Sequence, residues 1–167
     1  MMKRPLLLVV IAIAAVGLDQ LIKYLVETGM EMHERIELLP VLSLFRIHNT
    51  GIAFSMFSGS GNLFLVVMAA AVMGFVTWLA SRTEPHQAIA RMGFALVLAG
   101  AAGNLIDRAL LGYVVDYILF HIGNWSFAVF NLADAFITVG ALLVVVEELL
   151  AWRRPVERNP DDQPPGG

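Results

Sequence analysis

Two aspartates, Asp116 and Asp134, have the residue type and the surroundings that most favour chemistry. Asp134 interrupts the apolar run from Phe127 to Val146, with Asn131 three residues earlier on the same helical face, and neither acid has a basic residue at helical spacing. Two such carboxyl groups facing one site can share a proton, so that one activates a water molecule while the other protonates the substrate. The pattern favours acid–base chemistry by an aspartate pair, and spacing alone leaves a proton relay or an ion site as the alternative.

A second set of acids comes with basic partners. Asp19 and Lys23 are four residues apart with the acid first, which is the favourable orientation for an ion pair on a helix. Asp107 stands beside Arg108, and we expect the guanidinium to keep that carboxylate ionised and fixed. On a helix, Asn104 and Arg108 share one face while Asp107 points elsewhere. We therefore assign structural support to Asp19, Lys23 and Asp107.

Other reactive groups are poorly represented. The chain contains no cysteine, which excludes thiolate catalysis, disulfides and cysteine-ligated metals. His33-Glu34 begins like a zinc-protease helix, but Glu37 occupies the position of the second histidine, so we predict no metal and no cofactor. The serines within residues 55–60 offer a serine–lysine dyad with Lys23, yet their glycine-rich segment indicates a turn.

The elements that position these residues follow from hydropathy. Hydrophobic residues make up 58% of the 167 residues and charged residues 15%, with a mean hydropathy of +0.73, whereas a soluble domain carries about 25% charged residues. Four apolar runs are long enough to cross a hydrocarbon core of ~30 Å. They predict one all-α integral membrane domain over residues 1–152, with spans at about 5–26, 63–80, 90–107 and 129–151.

The direction of the first span follows from its flanks and from the loop charges. Residues 5–18 also fit the apolar part of a signal peptide, but the apolar pattern resumes at Tyr24 after Lys23 and favours an uncleaved span. An even number of spans places both ends of the chain on one side. That side carries seven of the 11 Lys and Arg residues, so the excess of positive charge predicts that both termini are cytoplasmic.

Between the first two spans, residues 28–60 do not show a helical pattern. The stretch from Leu42 to His48 partly alternates, and it is bounded by Pro40 and by the turn Asn49-Thr50-Gly51. These features predict a small extracytoplasmic β-cradle. The segment 153–167 holds four prolines and three acids, which is typical of a disordered tail and places one on the cytoplasmic side.

Helix geometry gives the depth of the polar groups in the spans. With roughly 1.5 Å of rise per residue, Asp134 lies about 27 Å from Trp152, and Asp19 and Asp107 lie about 21 and 24 Å above the inner ends of their spans. These distances place the acids in one polar layer near the outer leaflet. A peptide held in the membrane meets water at that depth.

Five blocks of sequence resemble, in order and spacing, the signature motifs of the bacterial lipoprotein signal peptidase family, signal peptidase II. The blocks are Asp19-Gln20-x-x-Lys23, Asn49-Thr50-Gly51-Ile52-Ala53-Phe54-Ser55, Gly100 to Arg108, Gly112 to Tyr117, and Phe130 to Asp134. Ile52 is a departure, because the family usually carries alanine there.

The resemblance implies an intramembrane aspartyl endopeptidase that removes the signal peptide from diacylglyceryl-modified prolipoproteins, cutting before the lipidated cysteine. It implies that Asp116 and Asp134 are the catalytic pair, and that Asp19 and Lys23 support the outer end of the first helix. The residues implied to orient the pair and hold the substrate backbone are Asn49, Gly51, Asn104, Arg108 and Asn131.

The expected partners are prolipoprotein substrates and membrane lipid, met by a monomeric enzyme in the bacterial inner membrane. Hydroxyl-bearing lipopeptides are expected to inhibit, because attack by water creates a tetrahedral diol that such compounds mimic. The net charge of −3 offers no basic surface for nucleic acid. The alternatives are a proton-coupled transporter that uses the same buried acids, although no internal repeat is visible, and a non-enzymatic assembly subunit.

Overall fold

The computed structural model describes residues 4–51, 61–123 and 125–152. The elements along the chain are α1 (Arg4–Gly29), β1 (Arg35–Leu39), β2 (Leu42–Asn49), α2 (Asn62–Arg82), α3 (Ala88–Leu110), β3 (Val114–Ile122), β4 (Trp125–Ser126) and α4 (Leu132–Trp152). All four helices are long and apolar enough to cross a membrane. The predicted architecture of four membrane-spanning helices with a small sheet is confirmed.

The helix bounds differ modestly from the predicted spans. α1 continues to Gly29 and α3 to Leu110, each three residues beyond the predicted end, while α4 begins at Leu132, three residues after the predicted start. Three predicted features lie outside the described residues. They are the departure from the family pattern at Ile52, the serines within 55–60 and the tail at 153–167.

Large apolar side chains are exposed along the helices rather than buried between them. Leu63 is 75% exposed, Ile13 66% and Leu142 59%. In water such surfaces would be unfavourable, but lipid solvates them, and a helix that is apolar all round is typical of a membrane span. The helices therefore offer their apolar surface to lipid.

α3 and α4 pack closely because small residues line their contact. A Cβ atom added to Gly93 would lie 2.5 Å from the carbonyl oxygen of Gly140, and one added to Gly140 would lie 2.5 Å from the carbonyl oxygen of Gly93. Such glycines allow the backbones of membrane helices to approach. The close approach brings the C-terminal half of α3 beside the start of α4, where Asn104 and Asp134 lie.

The sheet is antiparallel throughout, with the strand order β1-β2-β3-β4. β1 and β2 come from the segment between α1 and α2, as predicted. β3 and β4 come from the connection between α3 and α4, where the prediction contained no strand. The run from Val114 to Ile122 is rich in β-branched and aromatic residues, which is the signal that could have revealed β3.

The sheet and the helices meet at a small core at the end of α1. Val26 and Met30 pack there against Val115 and Tyr117 of β3, and all four are buried. The hydroxyl of Tyr117 accepts the N–H of Leu132 at 3.2 Å. This core holds β3 against α1 and close to the start of α4.

Candidate active site

Asp134 lies in the first turn of α4, and the residue before the helix sets its position. The Oδ1 atom of Asn131 accepts the N–H of Asp134 at 3.0 Å, and the Oδ2 atom of Asp134 accepts the N–H of Asn131 at 3.2 Å. This reciprocal arrangement is that of a capping box, which satisfies two N–H groups that the helix leaves free. The interpretation that put Asn131 on the same helical face as Asp134 is wrong, because the helix begins at Leu132.

Asp116 lies in β3 and contacts the same residue, Asn131, from the sheet. β2 pairs with β3 so that Asn49 lies opposite Val114, and Asn49 Nδ2 donates to Asp116 Oδ2 at 2.9 Å. Asn131 Nδ2 donates to Asp116 Oδ1 at 2.7 Å. Burial raises the pKa of Asp116 to about 6; the hydrogen bond from Asn49 opposes this rise, and the negative charge of Asp134 adds to it. Asp116 can therefore exchange a proton near neutral pH.

Asn104 of α3 completes the surroundings of the two acids. Its Nδ2 atom donates to Asp134 Oδ1 at 2.8 Å, and its Oδ1 atom accepts Asn131 Nδ2 at 3.1 Å. Each carboxylate oxygen of Asp116 and Asp134 thus accepts a hydrogen bond from an uncharged N–H group. We call Asp116 and Asp134 the aspartate pair.

Beside the pair lies a buried ion cluster formed by Asp19, Lys23 and Asp107. The Nζ atom of Lys23 lies 2.9 Å from Asp19 Oδ2 and 2.9 Å from Asp107 Oδ2, and the exposed fraction of these three side chains does not exceed 3%. The Asp19–Lys23 contact has the predicted spacing along α1. The cation that we expected to fix Asp107 was Arg108, and this expectation is wrong, because Lys23 of α1 makes the contact.

The ion cluster holds the segments that carry the aspartate pair. Asp19 Oδ1 accepts the N–H of Ala133, which precedes Asp134, at 2.9 Å. Asp107 Oδ2 accepts the N–H of Val115, which precedes Asp116, at 3.2 Å. The two acids of the cluster therefore position the backbone next to each acid of the pair.

Arg108 serves a different part of the site. Its guanidinium donates to the carbonyl oxygens of Gly51 at 2.7 Å and Asn104 at 3.3 Å. Its positive charge interacts with both acids of the aspartate pair. This charge comes from a separate element, so the absence of a basic residue at helical spacing from either acid could not reveal it. Gly51 is held further by its N–H, which donates to Asn49 Oδ1 at 2.9 Å.

A cavity of about 630 Å³ opens beside the aspartate pair. Its polar lining is the pair together with Asn49, Asn104 and Arg108. Its apolar lining is Val114, Phe127, Ala128, Val129, Phe130, Ala135, Ile137 and Val139, with Thr138 beside them. Among the described residues, no three His, Asp or Glu side chains are grouped so as to hold a metal ion. The cavity thus suits a mostly apolar ligand with a polar group that reaches the acids.

Two polar residues outside the aspartate pair and the lining of the cavity were missed from the sequence. Gln20 Nε2 donates to Asp107 Oδ1 at 2.8 Å and to the carbonyl oxygen of Gly103 at 3.2 Å. Asn62 Nδ2 donates to the carbonyl oxygen of Arg108 at 2.7 Å, near the end of α3. The presence of Gln20 within the Asp19-Gln20-x-x-Lys23 block was a usable signal, whereas the spacing of Asn62 offered none.

A family model described as signal peptidase (SPase) II matches residues 11–150 of the chain. The chain belongs to the signal peptidase II family. The resemblance inferred from the five blocks is confirmed, and with it the predicted class of protease. No observation favours the transporter alternative.

Individual signal peptidase II relatives agree with this assignment. The lipoprotein signal peptidase of Mesorhizobium japonicum is 61% identical over 144 residues, which is 86% of this chain and 86% of that protein. The lipoprotein signal peptidase of Brucella ovis is 57% identical over 144 residues, which is 86% of this chain and 90% of that protein. A solved structure described as a bacterial membrane enzyme superposes with a TM-score of 0.82 at 29% identity, covering 91% of this chain and 93% of that one.

Proposed function

We propose that Asp116 and Asp134 are the catalytic pair with which this signal peptidase II removes the signal peptide from prolipoproteins. The observation that carries the proposal is the bridge formed by Asn131. Its side chain donates to Asp116, and its backbone N–H donates to Asp134. A single residue thus joins two acids from a strand and a helix, and both acids line one cavity.

The geometry supports a hydrolysis step in which the two acids exchange roles as base and acid. One carboxylate takes a proton from water, the water oxygen attacks the scissile carbonyl carbon, and the other carboxyl group gives its proton to the carbonyl oxygen, which forms a tetrahedral diol. As the C–N bond breaks, the first acid gives the proton it took from water to the leaving amide nitrogen, and the second acid takes a proton back from a hydroxyl of the diol. The raised pKa of Asp116, about 6, lets it hold or release a proton at working pH.

Neutral amide groups orient the two acids, and the guanidinium of Arg108 fixes the backbone beside them. Asn49 and Asn104 donate to the acids without neutralising them, so the pair keeps its capacity to share a proton. Arg108 fixes Gly51, and its positive charge limits the repulsion between two carboxylates that face one cavity. Gly51 and Asn131 complete the set of residues proposed to orient the pair and the substrate backbone.

The walls of the cavity suit the lipid part of the substrate. Ile137 and Val139 of α4 continue the cavity away from the acids along an apolar surface. We place the acyl chains of a diacylglyceryl-modified substrate on this side, with the bond before the lipidated cysteine at the aspartate pair.

The site lies at one end of the helices, which supports a position near one face of the membrane. Asp19 and Asp107 lie toward the C-terminal ends of α1 and α3, and Asp134 lies at the N-terminal end of α4. Together with the charge distribution between the loops, this supports an inner-membrane enzyme whose two termini are cytoplasmic and whose site faces the outer leaflet. We propose that it acts as a monomer.

The proposal is tested by cleavage with purified protein. The protein is reconstituted in lipid vesicles with a diacylglyceryl-modified prolipoprotein, and release of the signal peptide is followed by gel and mass spectrometry. We expect one cut, before the lipidated cysteine, with wild type, and a rate of cleavage lower by about 10²–10⁴-fold with Asp116→Asn. Cleavage at another bond, or an equal rate with the unlipidated precursor, would contradict the proposed substrate.

The geometry of the pair is tested with a lipopeptide that carries a secondary hydroxyl at the scissile position. We expect it to inhibit wild type far more strongly than its deoxy analogue, because the hydroxyl lies between the two acids as the diol would. In Asp134→Asn the preference should shrink, since a proton can no longer be shared. Equal potency of both compounds on wild type would show that the hydroxyl never meets the pair.

A further inference from the structure

We infer that Lys23 is a positioning residue for catalysis: its ammonium group fixes the orientation of the Asn104 amide, so that the NH₂ group of Asn104 faces Asp134. This inference rests on the proposed function, in which Asp134 is one of the two catalytic acids. It gives Lys23 a role beyond the structural support predicted from its ion pair with Asp19.

The orientation of Asn104 follows from its neighbours. Its Oδ1 atom lies 2.9 Å from Lys23 Nζ and 3.1 Å from Asn131 Nδ2. An ammonium group carries three donors and no acceptor, and the NH₂ of an asparagine also only donates. If the Asn104 amide turned over, its NH₂ would face the ammonium, and its carbonyl oxygen would face the carboxylate of Asp134. Both contacts would then be repulsive.

Of the two groups that hold this oxygen, Lys23 is the stronger. A hydrogen bond from a charged donor is roughly twice as strong as one between neutral groups. Lys23 is 3% exposed and Asn104 8%, so water cannot replace the contact when it is lost. Without Lys23, only the neutral hydrogen bond from Asn131 would hold this oxygen, and the preferred orientation would be retained less firmly.

The ammonium of Lys23 is itself held by the ion cluster. Its three donors match three acceptors: Asp19 Oδ2, Asp107 Oδ2 and Asn104 Oδ1, each at 2.9 Å. Two of these contacts stabilise the fold, and the third reaches toward the aspartate pair. Loss of Lys23 should therefore have two separable effects, one on stability and one on turnover.

The test is a double-mutant cycle between Lys23 and Asn104, measured on purified enzyme with lipidated prolipoprotein. We expect Lys23→Met to lower kcat about 10-fold or more, which is the size of effect found between residues that interact directly. KM should change little, because Lys23 does not line the cavity. In an Asn104→Leu background the same substitution should lower kcat less than about twofold, because no amide remains to be oriented.

Gln20→Met is the matched control. Gln20 donates to Asp107 and to the carbonyl oxygen of Gly103, so its loss loosens the same cluster without removing the contact between Lys23 and Asn104. We expect a lower melting temperature and an unchanged kcat. A fall in kcat equal to that of Lys23→Met would show that any loosening of the cluster suffices, and would overturn the inference.

Lys23→Met alone leaves two buried acids without a cation and can fail to fold. The double variant Lys23→Met with Asp107→Asn keeps the net charge of the cluster at minus one, and it is compared with Asp107→Asn alone. We expect the double variant to have the lower kcat. Equal kcat values, or an equal loss from Lys23→Met with and without Asn104, overturn the role of Lys23. Full activity of Asp134→Asn would instead overturn the proposed function, and the two failures are thus distinct.

Discussion

The ion cluster and the aspartate pair lie side by side, and each contains two carboxylates, yet their surroundings differ. Asp19 and Asp107 contact the same ammonium group and are sealed from the cavity. Asp116 and Asp134 accept hydrogen bonds from uncharged N–H groups and line the cavity. In the proposed function, the partner of each carboxylate, rather than its residue type, decides whether the acid supports the fold or takes part in catalysis.

The physical reason is the cost of moving a proton. A buried ammonium stabilises the ionised form of a carboxylate that contacts it, and removing one member of such a pair leaves an uncompensated charge. A carboxylate that accepts only from amides keeps its orientation but can take up a proton. Arg108 interacts with the pair without a direct hydrogen bond to either acid in the described residues, so it lowers repulsion and still leaves a proton to share.

The largest effect is expected from neutralising one acid of the aspartate pair. Asp116→Asn and Asp134→Asn should each lower the rate of cleavage by about 10²–10⁴-fold, because an amide fills the same volume and cannot exchange a proton. The melting temperature should stay near that of wild type. A variant that keeps a tenth of the wild-type turnover would remove that residue from the pair.

The same substitution in the ion cluster should act on stability instead. Asp19→Asn should lower the free energy of unfolding by about 3 kcal/mol, since Lys23 loses one of its two buried counter-ions. Turnover of the protein that remains folded should stay close to wild type. Thermal unfolding and activity are measured on the same preparation. A well-folded Asp19→Asn protein without activity would reverse our ranking of the acids.

A smaller perturbation reaches the cluster through Gly103. A Cβ atom added there would lie 2.5 Å from Asp19 Oδ2 and 3.3 Å from its Cγ, so Gly103→Ala should destabilise the protein by about 1–3 kcal/mol. Gly17→Ala is the matched control, because nothing lies within 4 Å of its added Cβ. We expect the control to be neutral or slightly stabilising. Equal melting temperatures for the two variants would show that Asp19 can move aside without loss of stability.

The pH dependence of turnover reports the protonation of Asp116. With the pKa of Asp116 raised to about 6 by burial, the pH profile of kcat/KM should show a limb with its midpoint near that value. Asn49 stabilises the ionised form, so Asn49→Leu should move this limb to higher pH by up to about one unit. The direction is the same whether Asp116 is the base or the acid.

Asn62→Leu is the control for that profile. It also replaces an amide by an isosteric apolar group, but Asn62 donates to the carbonyl oxygen of Arg108 and contacts neither acid. The limb should keep its wild-type midpoint in this variant. A limb that stays in place in Asn49→Leu, or moves to lower pH, would contradict the assignment to Asp116.

Chelators and group-specific reagents are expected to have no effect on the rate of cleavage. The proposed chemistry uses two carboxyl groups and water, so EDTA and reagents that modify serine or thiol groups should leave the rate of cleavage unchanged. Activity is measured before and after prolonged chelation. Loss of activity that zinc restores would replace the aspartyl mechanism by a metal-dependent one.

Much of this molecule could be predicted locally. The four helices follow from the length of the apolar runs, because lipid requires a span of a certain length whatever its neighbours are. The ion pair of Asp19 with Lys23 follows from their spacing on one helix. The same rule of helical spacing distinguished Asp116 and Asp134 as acids without a basic residue nearby on their own element.

The errors came from contacts between distant parts of the chain. Asp107 stands beside Arg108 in the sequence, but successive residues on a helix point in different directions, and α1 supplies its cation. β3 had a local signal in its β-branched and aromatic residues, but its pairing with β2, which lies more than 60 residues earlier, had none. Spacing along one element carries no information about a partner on another.

Local composition and short motifs were enough to predict the number of spans and the family. Which acids form the ion cluster and which line the cavity depends on how distant segments of the chain pack together. Asn131 shows why. As the cap of α4 it must point its oxygen at the N–H of Asp134, and its NH₂ group is then free to donate to Asp116 across the junction of sheet and helix. That junction exists only when β3, α3 and α4 have packed together.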